Sequence, residues 1–235
     1  MMVRTRQSFA FLGDVVHEVR KGRLAPAAFQ RPYVWSRDDV EELWASIVSR
    51  DPLGGLLLWE PEDEETVSRM GRSHLGPIVR GSDRHSALIL DGQNRLVTLA
   101  WSMVDPATVA GGLSGSDVWQ TNDDLVLVAD PRGRRPCIRF MPREELGGMA
   151  MPVWKLFDNG MFNAHLRQTW DGEGVEGEIA ADWLTSVQQG IREARVVVST
   201  IEGGNAEQAK RRFVRMARVG VPMSAEDFDA IMSAK

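Results

Sequence analysis

Apolar residues recur along the chain at two spacings, and these spacings predict helices that alternate with strands. Helical spacing follows Ser8, which we expect to cap a first helix that ends at Gly22. It also follows Ser36, where Asp39 three positions later completes a capping box. We expect Ser224 to cap the last helix in the same way. Continuous apolar runs between these helices predict buried strands at 55–60, 86–90, 125–129, 136–140 and 195–201.

Other segments connect these elements or add further helices. Residues 23–36 contain two prolines and no helical period, so we expect an extended segment there. Residues 61–85 and 105–124 are expected to be loops or linkers, and the turn formers at 130–135 predict a hairpin. The remaining patterns predict helices at 93–104, across most of 142–194 and at 205–218. The fold class is therefore α+β, with a mainly helical middle and C-terminal part.

Composition favours a soluble globular protein, because 43% of the residues are hydrophobic and 26% are charged. The net charge of −5 provides no global attraction to nucleic acid. The arginines at 132–135 and 211–215 could still form a local basic patch. A single cysteine, Cys137, excludes a disulfide within the chain. The N-terminus lacks a signal-peptide pattern and no window is long and apolar enough for a membrane span, so we expect a cytoplasmic protein with no membrane partner.

The stretch 87-ALILDGQNRLVTLAW-101 places five polar residues between an apolar strand and an apolar helix. A strand that ends in Asp-Gly before a helix directs N–H groups and the positive helix end at one point, which suits a phosphate. Arg95 can add a bidentate contact, and Gln93 and Asn94 can add uncharged donors. Asp91 can hold a magnesium ion or accept a hydrogen bond from a ribose hydroxyl. The alternative is that Asp91 only caps the helix while Arg95 pairs with a surface acid.

The stretch 29-FQRPYVW-35 is the second polar and aromatic segment. Side chains two apart in an extended chain share a face, so Arg31, Tyr33 and Trp35 are expected on one side and Gln30 on the other. One interpretation is a nucleotide cradle with Arg31 toward a phosphate and an aromatic ring against the base or ribose. The alternative is an edge segment whose aromatic rings pack on the second helix.

Together, the two segments resemble the N-terminal domain of GmrSD-type, modification-dependent restriction enzymes, a family related to ParB and sulfiredoxin. Members show QR-P-Y-x-W and then D-G-Q-Q-R-L, which correspond here to residues 30–35 and 91–96. A third family element resembles 213-FVRMARVGVPMS-224. The resemblance implies a ParB/sulfiredoxin-like fold, a small mixed sheet with surrounding helices. It also implies a ParB-like nucleotide-binding core at 1–104, with 105–235 as an insertion and helical part that completes the same domain.

The function implied by the resemblance is binding of a nucleoside triphosphate, with or without hydrolysis, in restriction or another defence against phage. Mg²⁺ is the expected metal if hydrolysis occurs, and Asp91 is its expected ligand. The implied partners are the nucleotide, DNA, and a separate nuclease or helicase subunit. The residues that carry over as catalytic are Asp91, Gln93 and Arg95, and those that carry over as nucleotide-binding are Gln30, Arg31, Tyr33, Gly92, Asn94 and Arg215.

Three departures from the family pattern keep other functions open. Asn94 replaces the usual second glutamine, and Ala217 stands where asparagine is common. Many relatives carry an HNH nuclease domain, whereas this chain ends at Lys235 without one, so we expect any cleavage of that kind to come from a partner. One alternative is a non-catalytic DNA-binding or adaptor module that kept the fold. Another is a metal-dependent nuclease that uses the same polar joint.

Overall fold

A five-stranded mixed sheet forms the centre of the protein. The structure is a computed structural model that describes residues 3–30, 33–71, 74–75, 79–80, 85–105, 125–132, 135–170 and 174–217. The strands are β1 (Arg4–Phe11), β2 (Leu24–Pro26), β3 (Gly55–Glu60), β4 (His74–Leu75), β5 (Val79–Arg80), β6 (Ala87–Asp91), β7 (Leu125–Asp130), β8 (Cys137–Pro142), β9 (Met151–Pro152) and β10 (Arg195–Glu202). The helices are α1 (Leu12–Arg20), α2 (Arg37–Ser49), α3 (Glu64–Met70), α4 (Gln93–Ser102), α5 (Asn159–Trp170), α6 (Gly174–Glu193) and α7 (Ala206–Ala217). The predicted α+β class is confirmed.

The strand order of the central sheet is β1-β10-β3-β6-β2. Strand β10 lies between β1, to which it is antiparallel, and β3, to which it is parallel. Strand β6 is antiparallel to β3 and parallel to β2. A strand from the C-terminal half of the chain thus lies inside the sheet that the N-terminal half builds. The segments 1–104 and 105–235 therefore share one sheet.

Two hydrophobic layers cover the two faces of the central sheet. Alternate residues of a strand point to opposite faces, so in β3 Leu56 and Leu58 belong to one layer and Leu57 and Trp59 to the other. Helices α1, α2, α4 and α6 pack on the first face, and α3 and α7 pack on the second. Trp44, Trp59 and Trp101 are buried in these layers.

Several local predictions are confirmed. Ser36 caps α2 in a capping box, in which the Asp39 carboxylate accepts from the Ser36 backbone N–H at 2.7 Å and the Ser36 hydroxyl accepts from Asp39 N–H at 3.3 Å. The predicted strand at 55–60 is β3. The predicted hairpin is formed by β7 and β8, and with β9 they make a separate three-stranded sheet.

The prediction that Ser8 caps the first helix is wrong. Ser8 lies within β1, opposite Val198 of β10, and α1 begins only at Leu12 without a side-chain cap. The helical spacing at 8–12 is overridden because residues 4–11 pair with a strand about 190 positions later in the chain.

The predicted loop at 61–85 contains α3, whose first turn is capped by Asp63 through a 2.6 Å bond from the Thr66 N–H. The prediction that residues 142–194 are mainly helical is confirmed by α5 and α6, and the short strand β9 is an addition to it. The helix predicted from Ser224 lies outside the described residues. Within the part of the chain that the structure describes, no helix has the length and apolar character needed to cross a membrane.

Candidate binding site at the junction of β6 and α4

The chain turns sharply between β6 and α4 at Gly92. Its φ of 88° and ψ of 10° lie in the left-handed region, which is unfavourable for residues with a Cβ atom. A Cβ added here would lie only 2.3 Å from Leu56 Cδ2. Gly92 therefore allows the strand to pass directly into the helix, and the first-turn N–H groups of α4 emerge where β6 ends. The positive end of the helix dipole lies at the same place.

A cavity of about 180 Å³ opens at this helix end. Two parts of the chain, about 60 positions apart, line it. The lining residues are Gln30, Trp35, Asp91, Gly92, Gln93, Asn94 and Arg95. The fold thus brings Gln30 together with all five residues of the joint.

Arg95 is held in the cavity wall by the loop that precedes β3 and by the first residue of β3. Its Nη2 donates to the Gly55 carbonyl at 2.6 Å, and its Nη1 donates to the Leu53 carbonyl. Its Nη2 also lies 3.9 Å from Asp91 Oδ2, so the predicted pairing with an acid occurs within the joint itself. The side chain is 21% exposed. Two of the five guanidinium N–H donors are used by the carbonyls, which orients the group and leaves donors at the cavity.

Gln30 reaches the cavity because the chain turns just before it. The Gln30 backbone N–H donates to the Ala27 carbonyl at 2.9 Å, and its side-chain Nε2 donates to the Leu90 carbonyl at 2.7 Å. Gln30 and Trp35 line the same cavity, so the prediction that they lie on opposite sides is wrong. Trp35 both packs on the main core and lines the cavity.

Two other predicted site residues that the structure describes, Tyr33 and Arg215, do not line this cavity. Tyr33 is 8% exposed, and its hydroxyl lies 2.7 Å from Thr98 Oγ1 in the core, so it attaches its segment to α4 instead of facing the cavity. Arg215 lies on an exposed part of α7. Arg31 lies outside the described residues, and its role in phosphate binding remains a prediction.

One acid at the cavity could hold a metal ion. Asp91 is the carboxylate among the lining residues, and 63% of its side chain is exposed. Within the described residues, no group of three or more His, Cys, Asp or Glu could hold a metal. Magnesium commonly takes one or two carboxylates together with substrate phosphates and water. A magnesium ion at Asp91 would need its other ligands from outside the described residues of the cavity.

The backbone of the loop before β3 is the part of the site that sequence reasoning missed. Pro52 and Gly54 indicate only the end of α2, and nothing in the local pattern shows that the Leu53 and Gly55 carbonyls contact a side chain 40 residues later. Trp35 was left open by the sequence.

Two comparisons with known proteins show what this chain is similar to. A protein of Methanocaldococcus jannaschii, called uncharacterized protein MJ0686, is 33% identical over 97 residues. That match covers 40% of this chain and only 17% of the relative. The family described as "GmrSD restriction endonuclease, N-terminal domain" matches residues 12–232, nearly the whole chain. The chain therefore belongs to the family of GmrSD restriction endonuclease N-terminal domains.

Proposed function

We propose that this restriction-system domain binds a nucleoside triphosphate, with the phosphates against the N-terminus of α4. The observation that carries the proposal is that Gln30 and all residues of the Asp91–Arg95 joint line the same cavity. Helix N–H groups, a guanidinium and side-chain amides there form a donor-rich surface for an anion. Gly92 makes the turn that presents the helix N–H groups to the phosphate, and a larger residue there would collide with Leu56.

The size of the cavity supports a phosphate site rather than an enclosure for a whole nucleotide. Pockets that enclose a drug-sized ligand commonly measure roughly 300–1,000 Å³, whereas this cavity measures about 180 Å³. The described residues therefore account for the phosphates, with the Trp35 ring beside them. The base and ribose would lie beyond this cavity, and Arg31 would add charge from the segment next to Gln30.

The proposed roles follow from the chemistry of each side chain. Arg95 neutralises phosphate charge from a fixed position, and Asn94 donates from the first turn of the helix. Asp91 holds the Mg²⁺ that the triphosphate brings. Gln93 orients a phosphate oxygen or a water, so slow hydrolysis would depend on Gln93 and Asp91. Binding would signal to a separate nuclease or helicase subunit or to DNA.

A second candidate is a DNA-binding or adaptor module that does not use nucleotide. The contacts of Arg95 favour it, because two of its donors already have backbone partners and the residue stabilises the fold without a ligand. Such a module would bind DNA with an affinity that falls steeply with salt and does not respond to nucleotide or to changes at Arg95.

Isothermal titration calorimetry with ATP, GTP and CTP, each with Mg²⁺, tests the proposal on wild type and Arg95→Ala. We expect wild type to bind at least one of them, and Arg95→Ala to bind it at least about tenfold more weakly. Arg212→Ala is the matched control, because Arg212 also joins distant segments, through 2.9 Å to the Val3 carbonyl and 2.7 Å to Thr5 Oγ1. It should keep wild-type affinity. Failure of the wild type to bind any of the three nucleotides contradicts the proposal.

A further inference from the structure

The guanidinium of Arg95 lies between two glycines that both adopt the left-handed conformation. Gly54 has a φ of +74° and Gly92 a φ of +88°. A Cβ on Gly54 would lie 2.9 Å from Arg95 Nη1, and a Cβ on Gly92 would lie 3.4 Å from Arg95 Nη2. The group therefore occupies a narrow space that side chains at either position would reduce.

Gly54 differs from Gly92 because it lies outside the polar joint and outside the residues that line the cavity. It separates Leu53 and Gly55, the two residues whose carbonyls accept from Arg95. Its left-handed conformation turns the chain so that both carbonyls reach the same guanidinium. Because Gly54 has no Cβ, its backbone can lie directly against the guanidinium of Arg95. A Cβ added there would lie 2.9 Å from Arg95 Nη1 and 3.6 Å from Arg95 Cζ.

We propose that Gly54 is a positioning residue for the anion site and acts through Arg95. This inference rests on the proposed function, since Arg95 is the phosphate-binding cation. Two backbone acceptors at the Leu53–Gly55 turn fix the plane of the guanidinium before any ligand arrives. The donors that the turn does not use are thereby held at the cavity wall, and less side-chain freedom is lost when an anion binds.

The test compares Gly54→Ala with Gly203→Ala. Gly203 is a close match, because its φ is also +74° and its added Cβ would lie 2.7 Å from a side-chain tip, the Glu62 carboxylate. It follows the far end of β10, away from the cavity. The probe is inorganic pyrophosphate with Mg²⁺, which tests the phosphate site without a base, and binding is measured by calorimetry.

We expect Gly54→Ala to weaken pyrophosphate binding by about tenfold or more, and Gly203→Ala to stay within about twofold of wild type. Both variants should lose similar thermal stability, because both force a Cβ into the same backbone conformation. An equal loss of affinity in the two variants, or no loss in Gly54→Ala, overturns the inference.

An Arg95→Lys background shows whether Gly54 acts through Arg95. Lysine keeps the charge but has no fork for the two carbonyls, so Gly54→Ala should add little further loss of pyrophosphate affinity in that background. Independent, additive losses overturn the inference.

NMR of the arginine side chains measures the rotation of the Arg95 guanidinium in the absence of ligand. Restricted rotation should give separate Arg95 Nη resonances in wild type and Gly203→Ala, and averaged ones in Gly54→Ala. Separate resonances retained in Gly54→Ala overturn the inference. If wild type does not bind pyrophosphate but the NMR result is as expected, the proposed function is overturned. The inference that Gly54 positions Arg95 is then still supported.

Discussion

The hydroxyl groups of Tyr33 and Thr98 lie 2.7 Å apart in the core, and this bond joins the two polar segments of the site. Tyr33 is 8% exposed and Thr98 is fully buried. Tyr33 follows Gln30 in the chain, and Thr98 lies one turn after the joint in α4. Gln30 and the first turn of α4 are thus attached to each other through the core as well as at the cavity.

Loss of both hydroxyls should destabilise the protein by less than the sum of the two separate losses. We expect Tyr33→Phe to lower the free energy of unfolding by about 1–3 kcal/mol, because Thr98 Oγ1 loses a buried partner. Tyr33→Phe combined with Thr98→Val should cost less than the sum of the two single changes. Urea unfolding of all four proteins measures the coupling, and strictly additive losses would contradict it.

Gln30→Glu should weaken nucleotide binding, and it should also lower stability because the Leu90 carbonyl loses its donor. The change keeps the size of the side chain, removes the donor to the Leu90 carbonyl and adds a negative charge at the cavity. We expect affinity for the triphosphate to fall about tenfold, by charge repulsion. Gln7→Glu is the control, because Gln7 also donates from Nε2, at 3.3 Å to Ser199 Oγ, outside the cavity. An equal effect of the two changes in calorimetry would argue against an anion site.

Asp91→Asn should remove most of the magnesium dependence of binding. The exposed Asp91 carboxylate is the proposed metal ligand, and asparagine is a weaker one for a hard cation. Titrations with and without Mg²⁺ should show a gain of affinity in wild type that is largely absent in the variant. Asp14→Asn, a change of an exposed acid in the first turn of α1, should behave as wild type. An unchanged gain in Asp91→Asn would exclude this carboxylate as the ligand.

Asp130 should make stability depend on pH in the acid range. It is 3% exposed and accepts hydrogen bonds from Arg132 and Arg139, each at 2.7 Å. Burial alone would raise the pKa of Asp130, but the bonds from the two arginines outweigh it and lower the pKa below its ordinary value. Because the folded pKa is the lower one, the stabilisation is present above about pH 4 and is lost as pH falls through the folded pKa.

The matching variant is Asp130→Asn. At pH 7 it should unfold more easily by about 1–3 kcal/mol, because it leaves two arginines without their carboxylate. Guanidinium chloride unfolding at pH 7, 5 and 3 should show the difference shrinking toward the lowest pH. A difference that stays constant over this range would contradict the role of the charged carboxylate.

Much of the local structure follows from the sequence alone. The capping box of Ser36 and Asp39, the apolar run of β3, and the glycine between β6 and α4 each act within a few residues. Their conformations depend on bonds and sterics between neighbours, so a local pattern is sufficient to predict them. Membership in the restriction-endonuclease family was also visible in the two polar motifs, and the match over residues 12–232 confirms it.

Tertiary structure decided how these elements are used. Strand β1 replaces the first turn of a predicted helix because β10 provides a distant partner for it. Tyr33 lies in the core, where its hydroxyl contacts Thr98, and Gln30 lines the cavity. Arg95 donates to backbone carbonyls 40 and 42 residues earlier in the chain. The sequence alone determined which polar side chains can form the site and which turns precede them. Which of them meet depends on pairing between remote segments, which no local pattern encodes.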